Sequence, residues 1–155
     1  MERTLLLVKP DGVQRGLLGE IIGRLERKGL RIVGLRLMEV SRPLAERHYA
    51  IHAGKHFYPG LVDFIVAGPV AAIAVAGPDS VAVVRRLIGS TMPNQAEPGT
   101  IRGDLGVSGL RNLVHASDAV ETAEAELALW FEPGTILDYE RAMDPWIMAD
   151  EPPNP

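Results

Sequence analysis

The chain has 155 residues, 46% of them hydrophobic and 23% charged, with a formal net charge of −4 and no cysteine. This is the balance of one soluble globular domain with a sizeable core, and the acidic surplus argues against dedicated nucleic-acid binding. Without cysteine, disulfides, thiolate metal sites and thiol nucleophiles are all excluded.

Thr4 to Val8 is a compact apolar run and reads as a buried strand. It is too short for the apolar core of a signal peptide, and no cleavage site follows it. Lys9-Pro10-Asp11-Gly12 then forces a turn. A lysine at the end of a buried strand is either a solvated loop residue or a phosphate ligand. Leu17, Leu18, Ile21, Ile22 and Leu25 mark an amphipathic helix closed by Lys28 and Gly29. Leu30 to Val40 predicts a second strand, and Ser41 with Pro43 opens a helix to about Ala53.

That helix and the loop after it carry His48, His52 and His56 at spacings of four. Gly54 interrupts the series, and no carboxylate stands at the H-E-x-x-H spacing, so a metal reading fails. Tyr49 and Phe57 are either core residues or aromatics that stack on a flat ligand. Gly60 to Ala67 predicts a short helix and Val70 to Ala76 a strand. This is the longest apolar run and is far short of a membrane span. Asp79 or Ser80 caps the next helix, with Val81, Val84, Leu87 and Ile88 inward and Arg85 and Arg86 in its second half. Thr91 to Gly106, with two prolines, predicts a long functional loop without regular structure. It holds Arg102-Gly103-Asp104, a tripeptide of integrin ligands, improbable here without a secretion signal.

Asn112 to His115 is a short apolar run ending in a histidine. Asp118 and Glu121 read as a capping box, followed by Val120, Ala123, Leu127, Trp130 and Phe131 at helical spacing. His115 is therefore expected at the mouth of a strand-to-helix turn, near free backbone N–H groups that attract anions. A neutral imidazole there can act as a nucleophile. Glu126, bordering the buried face of the helix, could orient the ring. Lys9, Arg85 and Arg102, with loop hydroxyls such as Thr91, would complete a polyphosphate site. The tail has an apolar Trp146-Ile147-Met148 cluster. One domain over residues 1–148 and a flexible tail over 149–155 are expected.

Neither a G-x-x-x-x-G-K-[ST] loop nor the protein-kinase H-R-D and D-F-G motifs are present. Three other stretches carry a resemblance. Asn112-Leu113-Val114-His115-Ala116-Ser117-Asp118, Lys9 to Gly16 and Pro98 to Asp104 resemble stretches of the nucleoside diphosphate kinase family, in order and in register from about residue 2 to residue 147. The resemblance implies that His115 takes the γ-phosphoryl of a nucleoside triphosphate and passes it to a nucleoside diphosphate, in ping-pong order with low base specificity. It implies that Lys9, Arg85, Thr91, Arg102 and Asn112 hold phosphates and ribose, that Phe57 stacks on the base, and that Tyr49 lines the site. Ser117 and Glu126 would orient His115. Mg²⁺ would arrive with the nucleotide and need no cage of protein ligands.

Deoxynucleotides are expected substrates, and a homo-hexamer or tetramer is the expected assembly. The cytoplasm is the expected location, with no membrane or nucleic-acid partner. Ala116, Met92 and Leu105 depart from common family residues, and none of the three changes removes a group with a chemical role in the family. The alternation of strands and helices alone suggests a parallel doubly wound sheet. The resemblance instead implies an α+β, ferredoxin-like βαββαβ fold with a four-stranded antiparallel sheet and additional helices. A regulatory sensor on such a fold is the competing reading, but a sensor needs no nucleophile.

Overall fold

A computed structural model describes residues 1–149. Strands β1 (Glu2–Val8), β2 (Arg31–Met38), β3 (Val70–Gly77) and β4 (Val114–Ala116) form one sheet in the order β2-β3-β1-β4. Every neighbouring pair is antiparallel. The helices are α1 (Pro10–Gln14), α2 (Leu18–Arg27), α3 (Arg42–His48), α4 (Tyr58–Ile65), α5 (Ser80–Ile88), α6 (Ile101–Leu105), α7 (Val120–Trp130) and α8 (Asp144–Ile147). With α2 between β1 and β2 and α5 between β3 and β4, the frame is the ferredoxin-like βαββαβ unit. No described helix is long and apolar enough to cross a membrane.

The parallel sheet suggested by strand–helix alternation is corrected, and the cause lies in how β1 and β3 are covered. Leu5, Leu7, Ala72 and Ala74 face one core with residues of α3, α4 and α7, whereas Leu6, Val8, Ile73 and Val75 face a second with residues of α2 and α5. A continuous apolar run reports burial on both faces, whichever way the neighbouring strands run. The edge strand β2 lacks such a run at its far end, where Leu35 and Leu37 are exposed. Its Gly34 lets Phe131 close against the sheet, since a Cβ there would lie 2.9 Å from the Phe131 ring.

Five local expectations are revised. Lys9 to Gly12 is no simple turn: α1 begins at Pro10, where the missing N–H costs no helical bond. The α-helix expected to reach Ala53 ends at His48 and continues as a 3₁₀ turn, Ala50–His52. The long loop contains a 3₁₀ turn, Pro93–Gln95, and then α6, whose first turn is capped by Thr100 Oγ1 accepting from Gly103 N–H at 3.0 Å. Asp118 does not cap α7. Ala119 is the cap residue, with no side-chain bond, and this later start leaves Val120 exposed while Ala123, Leu127 and Trp130 are buried. Asp79 likewise caps α5 by position only; the Val81 N–H donates instead to Glu2 Oε1 at 2.7 Å.

Near the C-terminus, Asp144 of α8 pairs with the buried Arg31 at 2.5 Å. Ile147 packs against Gly29, while Trp146 is 91% exposed. Of the tail expected over 149–155, residues 150–155 lie outside the described residues.

Candidate active site

Side chains alternate along β4, and Val114 and Ala116 point into the core shared with α2 and α5. His115 between them must face the other way, toward α3 and α7. Opposite it, α7 seats Ala123, Leu127 and Trp130 in the protein, which brings Glu126 over the sheet. His115 Nε2 and Glu126 Oε2 are 2.5 Å apart. With Glu126 ionised, as it is above about pH 7, the carboxylate only accepts, so Nε2 carries the proton and the lone pair lies on Nδ1. The His115 side chain is 25% exposed, enough to be reached from solvent. His115 lies within the strand rather than at the start of α7. That helix therefore supplies a carboxylate to the histidine, not an anion-binding N-terminus.

The chain enters β4 through a sharp reversal. Leu113 has φ +72°, and Val114 N–H donates to Asn112 C=O at 2.8 Å, closing a γ-turn on a non-glycine residue. Four neighbours hold it. Leu113 N–H donates to Asp11 Oδ2 at 3.0 Å, Leu113 C=O accepts from Lys9 N–H at 2.8 Å, and Leu113 itself is fully buried. Arg102, 4% exposed, donates to the carbonyls of Asn112 (3.1 Å), Gly89 (3.1 Å) and Val114 (2.6 Å). Lys9 Nζ donates to Asn112 Oδ1 at 2.8 Å, and Asn112 Nδ2 donates to Thr91 C=O at 3.1 Å. Gly103, which lets this segment close, has no room for a side chain: a Cβ would lie 2.0 Å from Glu97 C=O. Within Arg102-Gly103-Asp104 the arginine is buried and the aspartate pairs with Arg24 at 2.8 Å.

Charge at the site is set by burial and by the clustered cations. Burial foremost, then Lys9, Arg102 and Arg85, holds His115 well below the usual imidazole range. The ring is therefore neutral, and nucleophilic, at physiological pH. Burial pushes the Glu126 carboxyl upward. Lys9 is lowered to about 8 by burial, then by the Arg102 charge, and Arg102 to about 10 by burial, then by Arg85.

A cleft of about 400 Å³ opens beside His115, lined among others by Tyr49, Arg85, Asp118 and Glu126. Arg85 also reaches Ala116 C=O at 3.3 Å. Lys9, Asn112, Arg102 and Thr91 form the hydrogen-bonded block behind the γ-turn and are absent from that lining. Phe57 is not in the lining either; it is 41% exposed and meets the cleft only through the edge of His52, 5.3 Å between ring centres. Tyr49 is buried, and burial raises its hydroxyl to about 12. Ser117, expected to orient His115, is fully buried with no hydrogen-bond partner for its hydroxyl. It faces Glu126, near enough to favour the carboxylate but outside bonding geometry. Ala116, expected at a tight turn, is a strand residue.

Two participants were not legible as such. Asp11 holds the γ-turn from across the sequence, and His48, read only as one of three spaced histidines, packs its ring 4.5 Å from that of His115. Nothing local to either residue signals these contacts. His48, His115 and Glu126 are the one cluster of metal-ligand types among the described residues. It is a poor cation site, because Trp130 Nε1–H already occupies His48 Nδ1 at 3.1 Å and His115 occupies Glu126.

Similarity to known proteins agrees with this arrangement. A family model described as Nucleoside diphosphate kinase matches residues 2–136. The chain is 55% identical to a nucleoside diphosphate kinase of Synechococcus elongatus, over 95% of this chain and 99% of that one. It is 54% identical to that of Archaeoglobus fulgidus, over 97% and 99%. Among solved structures, a nucleoside diphosphate kinase of Halobacterium salinarum in complex with CDP superposes with a TM-score of 0.93 at 47% identity, covering 95% of this chain and 98% of that one. A family protein from Babesia bovis gives the same TM-score at 44% identity, covering 96% and 100%. The chain belongs to the nucleoside diphosphate kinase family and is a phosphotransferase that moves a phosphoryl group from a nucleoside triphosphate to a nucleoside diphosphate.

Proposed function

We propose that His115 Nδ1 is the nucleophile, attacking the γ-phosphorus of the triphosphate and releasing the diphosphate. A second diphosphate then takes the phosphoryl from the ring. The observation that carries this reading is the His115–Glu126 bond, which fixes the proton on Nε2 and leaves Nδ1 with its lone pair in a cationic surrounding. As Nδ1 forms its bond to phosphorus the ring develops positive charge, and the carboxylate stabilises it. Lys9, Arg85 and Arg102 set the positive field, and Asn112 and Thr91 are assigned to phosphate or ribose, with Asn112 holding the Lys9 ammonium. Tyr49 lines the cleft, Ser117 supports Glu126, and Phe57 offers a stacking face at its rim. The working unit is one domain through residue 148.

The substrate is taken as its magnesium complex. Mg²⁺ favours octahedral oxygen ligands, and the two imidazoles and one carboxylate beside the nucleophile do not form such a cage. The ion would therefore be held by phosphates and water. Exposed Leu35 and Leu37 on the edge strand, with Val107 and Leu110 on the loop, support a homo-oligomer, hexamer or tetramer. Light scattering distinguishes these from a monomer. The cytoplasm is the location consistent with this chemistry.

The direct test is incubation with γ-labelled ATP and Mg²⁺. A phosphoenzyme labile in acid, stable in base and discharged by any nucleoside diphosphate is the expected result. Label stable to acid would place the phosphoryl on an oxygen and remove the proposal. Glu126→Gln should lower single-turnover phosphorylation by roughly 10–10²-fold while the fold persists, because the ring loses its charged partner. An unchanged rate would reduce Glu126 to packing.

Base specificity should be low. Phe57 is the group assigned to the base, and every base offers a π-face. Discrimination of about 10⁴ or more requires polar groups left unpaired by the wrong ligand. ATP, GTP, CTP and UTP, and their deoxy forms, should serve as donors with kcat/KM within roughly 10²-fold of one another. A series of donors against one acceptor checks this, and a single-base preference of about 10⁴ would contradict it.

A further inference from the structure

His48 stands behind the histidine–carboxylate pair, its side chain 1% exposed, and the reaction as proposed gives it no task. It is edge-on to three rings: Tyr49 at 4.7 Å, His115 at 4.5 Å and Trp130 at 5.3 Å between centres. Trp130 Nε1 lies 3.1 Å from His48 Nδ1. An indole nitrogen can only donate, so His48 Nδ1 can only accept, and the ring proton must sit on Nε2. That same Nδ1 is 3.6 Å from Glu126 Oε2, the oxygen that accepts from His115.

We infer that His48 and Trp130 are a pair of positioning residues: each occupies the other's hydrogen-bonding group that would otherwise be available to Glu126, so that the carboxylate serves His115 alone. If His48 carried its proton on Nδ1, it would be a second donor to Oε2 and would draw the carboxylate away from His115. If His48 offered no acceptor, the buried Trp130 N–H would be left unpaired, with the carboxylate on the far side of the His48 Nδ1 position. A buried donor without a partner is costly enough to move toward the nearest acceptor.

The imidazole carries a cost of its own, since His48 Nε2 has no hydrogen-bond partner. An apolar ring of that shape would avoid this cost, so what the imidazole supplies is its Nδ1 lone pair. The charged and titratable groups facing it are His115 from β4, Glu126 from α7, Lys9 beyond β1, and His52 and Tyr49 from its own segment. Burial first, then His115, holds His48 down at about 3, against the opposing pull of Glu126. It therefore remains uncharged through the working range.

The inference rests on His115 being the nucleophile, and two measurements separate the claims. In the uniformly ¹⁵N-labelled full chain, ring nitrogen–proton correlations should show His48 as the Nε2–H tautomer, unchanged between about pH 6 and about pH 8. A proton on Nδ1, or titration in that window, overturns the inference even if His115 is phosphorylated as proposed. The second measurement is the rate of phosphoenzyme formation in Trp130→Phe, His48→Phe and the double variant. Each single change should slow it about tenfold with little change in KM, the first by freeing a donor on His48 and the second by freeing the indole N–H. The double variant has neither donor and should be faster than both singles. Losses that add, or a double variant slower than either single, would show ordinary packing and overturn the inference. Where the double variant fails to fold, the tautomer of the unaltered protein decides. Conversely, labelling that survives His115→Ala removes the nucleophile while leaving the His48 tautomer as measured.

Discussion

His115→Ala should abolish the acid-labile phosphoenzyme and lower turnover by about 10⁴-fold or more, because loss of a nucleophile removes the covalent route rather than weakening it. The fold should survive. β4 pairs with β1 through backbone groups, Leu7 standing opposite His115, and the flanking Val114 and Ala116 supply the core contacts. Nucleotide binding should also persist, since Arg85, Tyr49 and the Lys9–Asn112 pair do not depend on the imidazole for their places. The variant leaves Glu126 without its donor, and thermal unfolding run alongside will register any cost of that. Binding with no labelling is the expected outcome. Undiminished labelling would mean that another group carries the phosphoryl, and His48, whose ring lies beside that of His115, would then be the first residue to examine.

What could be read from the sequence, and what could not, follows from the range of each interaction. The strands, α2 and α5 were legible because their apolar patterns are set locally. Glu126 was legible because helical spacing places it beside Ala123, Leu127 and Trp130. The direction of the strands was not, since two-sided burial of β1 and β3 gives the same continuous run in a parallel or an antiparallel sheet. The antiparallel arrangement entered through the resemblance. The capping box at Asp118 failed because spacing cannot report where a helix begins to a single residue. α6 was missed because five residues leave too little periodicity, and its stability comes from Thr100 and from Arg102 reaching across to β4.

The roles expected of the cations were read from charge alone, which does not reveal how much of a guanidinium is already engaged. Arg102 turns its fork to three carbonyls around the γ-turn, so it shapes the path into His115 as well as contributing charge. The links Asp11–Leu113 and Trp130–His48 span 102 and 82 residues, and no local pattern encodes them.

Lys9→Met should lower kcat by about 10²–10³-fold, the loss typical of one donor aimed at developing charge, with a smaller change in KM. Lys9 is the most deeply placed of the free-ended cations, 8% exposed, tied by a single bond to Asn112 Oδ1, so its ammonium keeps donors for a phosphate. Its pKa adds a pH signature. Below about 8 the amine is charged, and above that value the free enzyme loses the cation, so kcat/KM should fall on the alkaline side in the unaltered protein. The methionine variant should lack that limb.

The same shift acts on stability with a definite sign. Folding lowers the lysine from its ordinary value of 10.5 to about 8, so between these the unfolded chain binds more protons and stability rises with pH. Methionine has no proton to release and should lose that rise. The two readouts separate charge from scaffolding. A variant that loses the stability gradient but keeps kcat would make Lys9 a tether for Asn112 and nothing more. Loss of kcat together with the alkaline limb, in a protein that unfolds near the usual temperature, assigns the ammonium to the transferring phosphoryl group.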